Sequence, residues 1–241
     1  MNKIVLVTGG SRGIGAATVQ AFAQAGCRVI LNYNKSEAAA RAIADAWPGQ
    51  VFPVQADVSD PAQVEELFRQ AEALCGPVEV LVCNAGLAQQ KLFTDLTDAD
   101  WARMIGVHLS GAFYCCRRAL PGMIRRKWGR ILTVSSMWGQ TGGSCEVHYS
   151  AAKAGLIGLT KALAKETAPS GITVNCLCPG VIQTDMLSSF TPQDLENLRE
   201  ENPVGRLGTP GDVSSAALWL AAEGSGFITG QIIGVNGGFG E

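Results

Sequence analysis

An apolar run that leads into a glycine-rich turn near the amino end restricts the fold of this chain more than any other feature. The run Ile4-Val5-Leu6-Val7-Thr8 is mostly β-branched, as buried parallel strands are, and Gly9-Gly10-Ser11-Arg12-Gly13-Ile14-Gly15 follows it directly. An alanine-rich stretch then predicts a helix over 16–25. Glycines let the backbone approach a pyrophosphate, and a helix N-terminus offers free N–H groups. The pattern therefore predicts a phosphate-binding turn, with a purely structural turn as the alternative.

Apolar runs and helical patterns alternate along the rest of the chain. Strands are predicted near residues 3–8, 28–33, 51–56, 79–83, 130–135, 172–178 and 231–235, and helices near 13–25, 36–47, 61–75, 98–127, 148–169 and 210–222. This alternation favours an α/β fold, a doubly wound sheet of about seven parallel strands with helices on both faces. With 241 residues, 47% of them hydrophobic, the chain fits one domain spanning 1–241 better than two. In such sheets, ligands bind beyond the carboxyl ends of the strands.

Composition argues against several kinds of partner. The net charge of −2 gives no reason to expect nucleic-acid binding, and no apolar stretch approaches the ~20 residues of a membrane span. The eight cysteines come without a secretory signal or Cys-x-x-Cys pairs, which indicates buried thiols in a reducing cytoplasm. The two histidines are too few and too far apart for a zinc site. We therefore expect a cytoplasmic protein that binds no metal, no nucleic acid and no membrane.

Three polar residues in the second half of the chain suggest a proton-transfer site. Tyr149 and Lys153 are four residues apart in a predicted helix, so their side chains share one face, and Ser136 precedes the tyrosine by thirteen residues. A free tyrosine has a pKa near ~10, and bringing it close to neutrality takes roughly 4 kcal/mol, which an adjacent cation supplies most directly. A nearby serine hydroxyl could hold a carbonyl oxygen while the tyrosine protonates it. Taken alone, however, Tyr-x-x-x-Lys is also common on ordinary surface helices.

Six motifs together resemble those of the short-chain dehydrogenase/reductase family in order and approximate spacing, and they cover the whole chain. They are Thr8-Gly9-x-x-x-Gly13-x-Gly15, Asp57-Val58, Asn84-Ala85-Gly86, Ser136, Tyr149-x-x-x-Lys153 and Pro179-Gly180-x-Ile182-x-Thr184. The resemblance implies a single Rossmann-type domain that binds NAD(P) and reduces a ketone to a secondary alcohol. The chain is also similar to 3-oxoacyl-acyl-carrier-protein reductases and, over 135–147, to elongation factor P 5-aminopentanone reductases. The latter reduce a ketone on a lysine modification of the translation factor.

The resemblance implies a role for each catalytic candidate. Tyr149 is the general acid, Ser136 orients the substrate carbonyl, and Lys153 lowers the tyrosine pKa and binds the nicotinamide ribose. Ser135 is the competing serine, but Ser136 has the family's interval to the tyrosine. His108 stands where the family usually carries an asparagine that helps to hold a water between the lysine and solvent. A histidine could sustain that relay and would titrate near pH ~6.5, or backbone groups could satisfy it instead.

The cofactor is expected to be NADPH, because no carboxylate follows the second strand, where many dinucleotide folds carry one for the NAD ribose. That position falls on Tyr33, while Arg12 and Lys35 could meet a 2′-phosphate or remain solvated surface cations. Asp57 resembles the family's aspartate near the adenine, and a helix cap before Pro61 is the alternative. The full set of expected cofactor-binding residues is Gly9, Ser11, Arg12, Gly13, Ile14, Gly15, Asn32, Tyr33, Lys35, Asp57, Val58, Asn84, Ala85, Gly86, Tyr149, Lys153, Pro179, Gly180, Ile182 and Thr184.

Two residues near the tyrosine are predicted to contact substrate. Glu146 could bind the primary ammonium of an amino ketone, with Trp138 as an apolar or cation–π wall; alternatively, Glu146 only complements the helix dipole. The basic run 125–127 could receive an acidic carrier protein, elongation factor P or acyl carrier protein, or complement a helix C-terminus. The long helices resemble those of the family's tetramer interfaces, so we expect a homotetramer. A lid from Leu187 to Pro203 is expected to decide specificity. A non-catalytic dinucleotide sensor is the alternative to an enzyme, and the intact Ser-Tyr-Lys set argues against it.

Overall fold

The predicted alternation of strands and helices is present in the computed structural model, which describes residues 1–187 and 190–239. The strands are β1 Ile4–Val7, β2 Arg28–Tyr33, β3 Val51–Gln55, β4 Val80–Cys83, β5 Gly129–Val134, β6 Ile172–Pro179 and β7 Ile232–Val235. They form one parallel sheet in the order β3-β2-β1-β4-β5-β6-β7. Strands β1 to β3 follow one another toward one edge of the sheet, and strands β4 to β7 follow one another toward the other edge. The strand order therefore reverses between β1 and β4, and such a reversal opens a crevice in which ligands bind.

Helices cover both faces of this sheet. They are α1 Gly13–Gln24, α2 Glu37–Asp45, α3 Pro61–Cys75, α4 Asp98–Ile105, α5 Gly111–Arg126, α6 Trp138–Thr141, α7 Val147–Thr167, α8 Pro192–Glu200 and α9 Pro210–Ala221. Helices α3, α5 and α7 pack on one face, and α1, α2 and α9 pack on the other. Strand residues alternate between the two cores, so Leu6 faces the first while Val5 and Val7 face the second. Among the described residues, no helix is long and apolar enough to cross a bilayer.

The helix predicted over 98–127 is two α-helices, α4 and α5, joined by a π-helical segment at Gly106–Ser110. A π turn holds one more residue than an α turn and often occurs at functional sites. His108 lies in the middle of this segment and contacts the backbone of Leu87. The sequence pattern of 98–127 therefore predicts the helix but not the local change from α-helical to π-helical geometry within it.

Helices α6 and α8 are absent from the sequence prediction. Helix α6 has only four residues. Helix α8 begins after Thr191, whose side chain and that of Asp194 form a reciprocal capping box, a start signal that the sequence does carry. This helix lies within the predicted lid, of which residues 188 and 189 fall outside the described part of the chain.

Candidate active site

Candidate residues from distant parts of the chain meet at the carboxyl edge of the sheet. The glycine turn follows β1, Asn84 follows β4, and Ser136 follows β5. Pro179 is the last residue of β6. Tyr149 and Lys153 lie in the first two turns of α7, which packs beside β6. The fold therefore gathers all six predicted motifs around one crevice.

The glycine turn leaves no room for side chains. Gly9 and Gly13 have φ angles of +65° and +51°, which glycine adopts far more readily than other residues. A Cβ on Gly9 would lie 2.8 Å from the Cα of Ala85, and one on Gly15 would lie 2.2 Å from the carbonyl oxygen of Gly9. The N-cap residue of α1, Arg12, makes no side-chain capping hydrogen bond, and the first turn of the helix contains no acidic residue. The free N–H groups at this helix end fit a pyrophosphate, so the turn can hold NAD(P)H.

Three polar side chains brace the glycine turn from within the protein. Asn32 is buried, and its Oδ1 accepts a hydrogen bond from the Gly9 N–H (3.3 Å). The Nδ2 of Asn84 donates to the carbonyl oxygen of Thr8 (3.0 Å). In return, the Thr8 hydroxyl accepts from the N–H groups of Asn84 and Ala85, both at 3.0 Å. Asn32 and Asn84, predicted as cofactor contacts, therefore commit their amide groups to shaping the turn.

The end of β2 differs from the sequence prediction at Tyr33. Because alternate residues of β2 face the core under α1 and α2, the Tyr33 ring is buried there at 7% exposure. Its side chain is therefore not presented at the ribose position, where a cofactor contact was expected. Arg12 and Lys35, by contrast, are exposed in the loops after the neighbouring strands β1 and β2. Neither forms an ion pair within the described ranges, so both cations are available to a phosphate.

Asp57 is held by local hydrogen bonds after β3. Its Oδ1 accepts from the N–H and the hydroxyl of Ser59, at 2.9 and 2.7 Å. Burial opposes ionisation of Asp57, but these hydrogen bonds, together with one donated by the Asn34 side chain, outweigh it and lower the pKa of the carboxyl. The cap of α3 is Asp60, which accepts from the Ala62 N–H (2.8 Å), so the capping alternative for Asp57 is wrong. Val58 is buried in the core, and its side chain is turned away from solvent.

Other cofactor candidates line the crevice or form its floor. Thr184 lies across from the glycine turn, because a Cβ on Gly13 would be 3.1 Å from its Cγ2. Ile182 is buried below it. Ser11 and Ile14 are partly exposed in the turn and at the start of α1. No group of three or more His, Cys, Asp or Glu within 1–187 and 190–239 could hold a metal ion.

The structure brings Ser136, Tyr149 and Lys153 together. The Nζ of Lys153 lies 5.4 Å from the centroid of the Tyr149 ring and donates to the carbonyl oxygen of Val134 (2.7 Å). The Ser136 hydroxyl lies beside the Tyr149 phenol. The Ser135 hydroxyl instead donates to the carbonyl oxygen of Lys153 (2.8 Å), which anchors the helix. Ser136 is therefore the serine that faces the tyrosine.

The protonation of this cluster differs from the sequence prediction. Burial raises the pKa of Tyr149 to about 12, and the Ser136 hydroxyl offsets only part of that rise. Burial also lowers the pKa of Lys153 to about 8. The expected lowering of the tyrosine pKa is wrong for this arrangement, because burial outweighs the effect of the Lys153 ammonium, which donates to the Val134 carbonyl. Tyr149 consequently keeps its proton at neutral pH.

His108 lies edge-on to the Tyr149 ring, with the ring centroids 5.3 Å apart and the planes at 86°. Its Nε2 is 2.9 Å from the carbonyl oxygen of Leu87 and 3.1 Å from the Leu87 nitrogen. Its Nδ1 is buried and has no partner in the described part of the protein. Burial, helped by the Lys153 charge, holds the pKa of His108 well below its usual range. The imidazole is therefore neutral, and the expected titration near pH ~6.5 is corrected.

Glu146 and Trp138 lie side by side ahead of α7. Both side chains border Gly143, because a Cβ added to this glycine would lie 3.0 Å from the Trp138 Cδ2 and 3.2 Å from the Glu146 Cβ. Glu146 occupies the N-cap position of α7, but its side chain makes no capping hydrogen bond. Burial raises the pKa of this half-buried carboxyl, and Gln90 offsets part of the rise. Glu146 forms no ion pair with any described residue, so its charge is uncompensated.

The basic run 125–127 lies at the opposite edge of the sheet. Arg125 and Arg126 end α5, and Lys127 follows just before β5 begins, whereas Ser136 comes after β5 ends. At ~3.3 Å per residue, a strand of this length spans roughly 20 Å. A carrier protein docked on this run would hold its substrate across the sheet from Tyr149. The location does not favour the predicted docking role.

Gln89 and His148 form a contact next to Tyr149 that no sequence motif marks. His148 is fully buried, and its Nε2 lies 3.1 Å from the Oε1 of Gln89. The sequence offers only two indirect signals. His148 directly precedes Tyr149, and Gln89 follows a strand end at the edge where ligands bind.

Comparisons with known proteins agree with this geometry. A family model described as enoyl-(acyl carrier protein) reductase matches residues 9–240. The chain is 40% identical over 241 residues to an uncharacterized oxidoreductase of Bacillus subtilis, covering 99% of both proteins. It is 43% identical over 239 residues to an acetoacetyl-CoA reductase of Rhizobium meliloti, covering 99% of this chain and 98% of that one. It is 38% identical over 239 residues to a 3-oxoacyl-[acyl-carrier-protein] reductase of Aquifex aeolicus, covering 98% and 96%.

Proposed function

Because the chain belongs to the short-chain dehydrogenase/reductase family of NAD(P)-dependent oxidoreductases, we propose that it uses NADPH to reduce a ketone to a secondary alcohol. The observation that carries this proposal is a protonated Tyr149 beside Ser136 and Lys153, at the edge where the glycine turn opens. A pure dinucleotide sensor would have no use for a proton donor at that place. An enzyme is therefore the better interpretation of the site.

The cofactor would be held by the glycine turn and α1 at its pyrophosphate, with Arg12 and Lys35 at a 2′-phosphate. When bound, it supplies the hydride for the carbonyl carbon. The Ser136 hydroxyl donates a hydrogen bond to the carbonyl oxygen and orients it. The Tyr149 phenol then gives its proton to the same oxygen, and Lys153 compensates the charge left on the phenolate. A pKa near 12 for Tyr149 suits the donor, because the proton is present at neutral pH and leaves only as the alkoxide forms.

The substrate is a ketone that carries a primary ammonium several bonds from its carbonyl, such as the 5-aminopentanone lysine modification of elongation factor P. Glu146 supports this choice, because its half-buried carboxylate has no cation among the described residues. A substrate ammonium would neutralise the Glu146 carboxylate and donate charge-assisted hydrogen bonds to it, and Trp138 would form the wall beside the alkyl chain. Beside a fatty acyl chain, the same carboxylate would only lose water at a cost.

A 3-oxoacyl thioester on acyl carrier protein is the second candidate substrate. It is favoured by the names of two relatives, a 3-oxoacyl-[acyl-carrier-protein] reductase and an acetoacetyl-CoA reductase. Either macromolecular substrate would approach the carboxyl edge of the sheet. The protein would act as a homotetramer, and exposed apolar side chains on α5, Phe113 and Ile124, support burial of that helix. Light scattering that shows only monomers would contradict the assembly.

The function is tested by following the consumption of NADPH with ketone-modified elongation factor P and with an acetoacetyl thioester. We expect turnover of both, with the higher kcat/KM on the amino ketone. Tyr149→Phe should abolish turnover and leave the Kd for NADPH nearly unchanged, because the proton of the phenol serves the carbonyl oxygen, whereas the glycine turn, Arg12 and Lys35 would supply most of the cofactor binding. Retention of more than a tenth of kcat would remove Tyr149 from the mechanism. NADPH binding without turnover of any ketone would favour the sensor.

A further inference from the structure

The irregular segment between β4 and α4 holds the start of α7 from outside. The Lys91 N–H donates to the carbonyl oxygen of Cys145 (2.9 Å), just ahead of the helix. Gln89 contacts His148, in the first turn, through its Oε1 (3.1 Å). Helix α7 itself has no side-chain cap and no acidic residue in its first turn. The neighbouring segment therefore holds this end of the helix through contacts from outside it.

The side-chain amide of Gln89 can lie in only one orientation. Asp100 faces it, and the Oδ2 of Asp100 accepts from the Lys91 Nζ (2.8 Å) and from the Thr97 hydroxyl and N–H (2.8 and 3.0 Å). These bonds keep Asp100 ionised, with a pKa well below its usual range. The other oxygen, Oδ1, is 2.8 Å from the Gln89 side chain and requires a donor, so Nε2 of Gln89 must face it. The Gln89 oxygen is then turned toward His148.

The orientation of Gln89 decides which nitrogen of His148 carries the proton. An amide oxygen can only accept, so Nε2 of His148 must hold the hydrogen that it donates. His148 is fully buried, and its Nδ1 has no partner among the described residues, as expected for a bare acceptor in a neutral ring. The ring is therefore held in one tautomer and one rotation. Tyr149 is the next residue along the same helical turn.

We propose that Gln89 is a positioning residue for Tyr149, a role that rests on the proposed function of Tyr149 as proton donor. By fixing His148 to the ionised Asp100, it sets the rotation and depth of the first turn of α7. A displacement of about 1 Å at a reacting group can lower a rate ~100-fold, so this anchoring bears directly on turnover. Among the described residues, the hydrogen bonds of the Gln89 side chain go to Asp100 and His148, so we expect Gln89 to act on Tyr149 through the helix.

The first experiment replaces Gln89 by methionine, which keeps the length and removes both hydrogen bonds. The assay uses a small neutral ketone that the wild type reduces, so that Glu146 plays no part. We expect kcat to fall about tenfold or more, with KM and the Kd for NADPH within about twofold of the wild type. Gln24→Met is the matched control, because Gln24 is exposed at the far end of α1. It should leave all three constants unchanged.

The second experiment exchanges the two partners of the hydrogen bond. Gln89→Glu alone would set two carboxylates against each other and should lower kcat at least as much as methionine does. In the double variant with Asp100→Asn, one oxygen of the carboxylate at residue 89 can accept from His148. Its other oxygen can accept from the amide nitrogen at residue 100, so that donor and acceptor are exchanged relative to the wild type. We expect the double variant to recover most of the lost kcat. A role in folding stability alone would not predict this recovery.

The third experiment reads the ring of His148 directly and needs no activity. With only two histidines in the chain, nitrogen NMR of histidine-labelled protein can assign both, using His108→Asn to identify the other signal. The wild type should show the Nε2–H tautomer at His148, and Gln89→Met should lose that single form. A wild type with the Nδ1–H tautomer, or Gln89→Met with kcat within about twofold of the wild type, would overturn the proposal. If no ketone is reduced at all, the proposed function fails, while the tautomer still shows whether Gln89 fixes the ring of His148.

Discussion

Replacement of Glu146 by glutamine tests the recognition of a substrate amine, because it removes the charge and keeps the shape of the side chain. The carboxylate is half-buried and unpaired in the described structure, so a bound ammonium would be less screened than at an exposed surface pair. A hydrogen bond to a charged group contributes about 1.5–3 kcal/mol, and the remaining amide dipole of glutamine retains part of it. We therefore expect a loss of roughly 1–2 kcal/mol, which corresponds to about a 5- to 30-fold decrease in kcat/KM.

The assay compares an amino ketone with a neutral ketone of the same length, in which a methyl group replaces the ammonium. Only the amino ketone should suffer the loss, and the neutral ketone should react almost as fast as with the wild type. Glu166→Gln is the matched control, since Glu166 is exposed near the other end of the same helix and the change in net charge is identical. It should affect neither substrate. Equal losses on both ketones with Glu146→Gln would show that Glu146 only positions α7, and the amine-recognition hypothesis should then be dropped.

Three further predictions concern the cofactor and the catalytic cluster. First, kcat/KM should favour NADPH over NADH by at least about tenfold, and joint replacement of Arg12 and Lys35 by alanine should remove most of that preference; equal efficiency of the wild type with both cofactors would contradict it. Second, His108→Ala should lower kcat, because the Leu87 backbone loses its partner, yet leave the shape of the pH profile unchanged between about pH 5 and 8, since the imidazole is already neutral. An inflection near pH ~6.5 that disappears on substitution would instead restore a titrating role. Third, the rate of reduction should decrease as the pH rises through about 8, where burial causes Lys153 to lose the ammonium that stabilises the phenolate; a flat profile to higher pH would argue against that role.

The strands of the sheet can be predicted from the sequence, because they are buried on both faces and therefore appear as continuous apolar runs. Strand β2 begins and ends where predicted, and the other strands differ by a residue or so. The π segment could not be predicted, since Gly106–Ser110 fits an ordinary helical pattern and the contact that His108 makes with Leu87 is visible only in the folded protein. A bond between residues so far apart in the chain leaves no local pattern.

The site shows the same limit in its electrostatics. The interval of four residues predicts that Tyr149 and Lys153 share a helix face, and they do. The interval cannot predict the direction of the ammonium, which donates to the carbonyl oxygen of Val134 at the end of β5. Likewise, register placed Tyr33 at the ribose position, but the alternation of β2 directs its ring into the core.

Thr8, Asn32 and Asn84 hold the glycine turn through bonds internal to the protein, so the turn has its binding shape before any ligand arrives. A ligand would then lose little affinity to the ordering of the loop, and its binding would need no slow rearrangement of the turn. Attraction by the exposed Arg12 and Lys35 would raise the encounter rate further at low salt. Capture of the dinucleotide would thereby be separated from the proposed chemistry at the tyrosine helix.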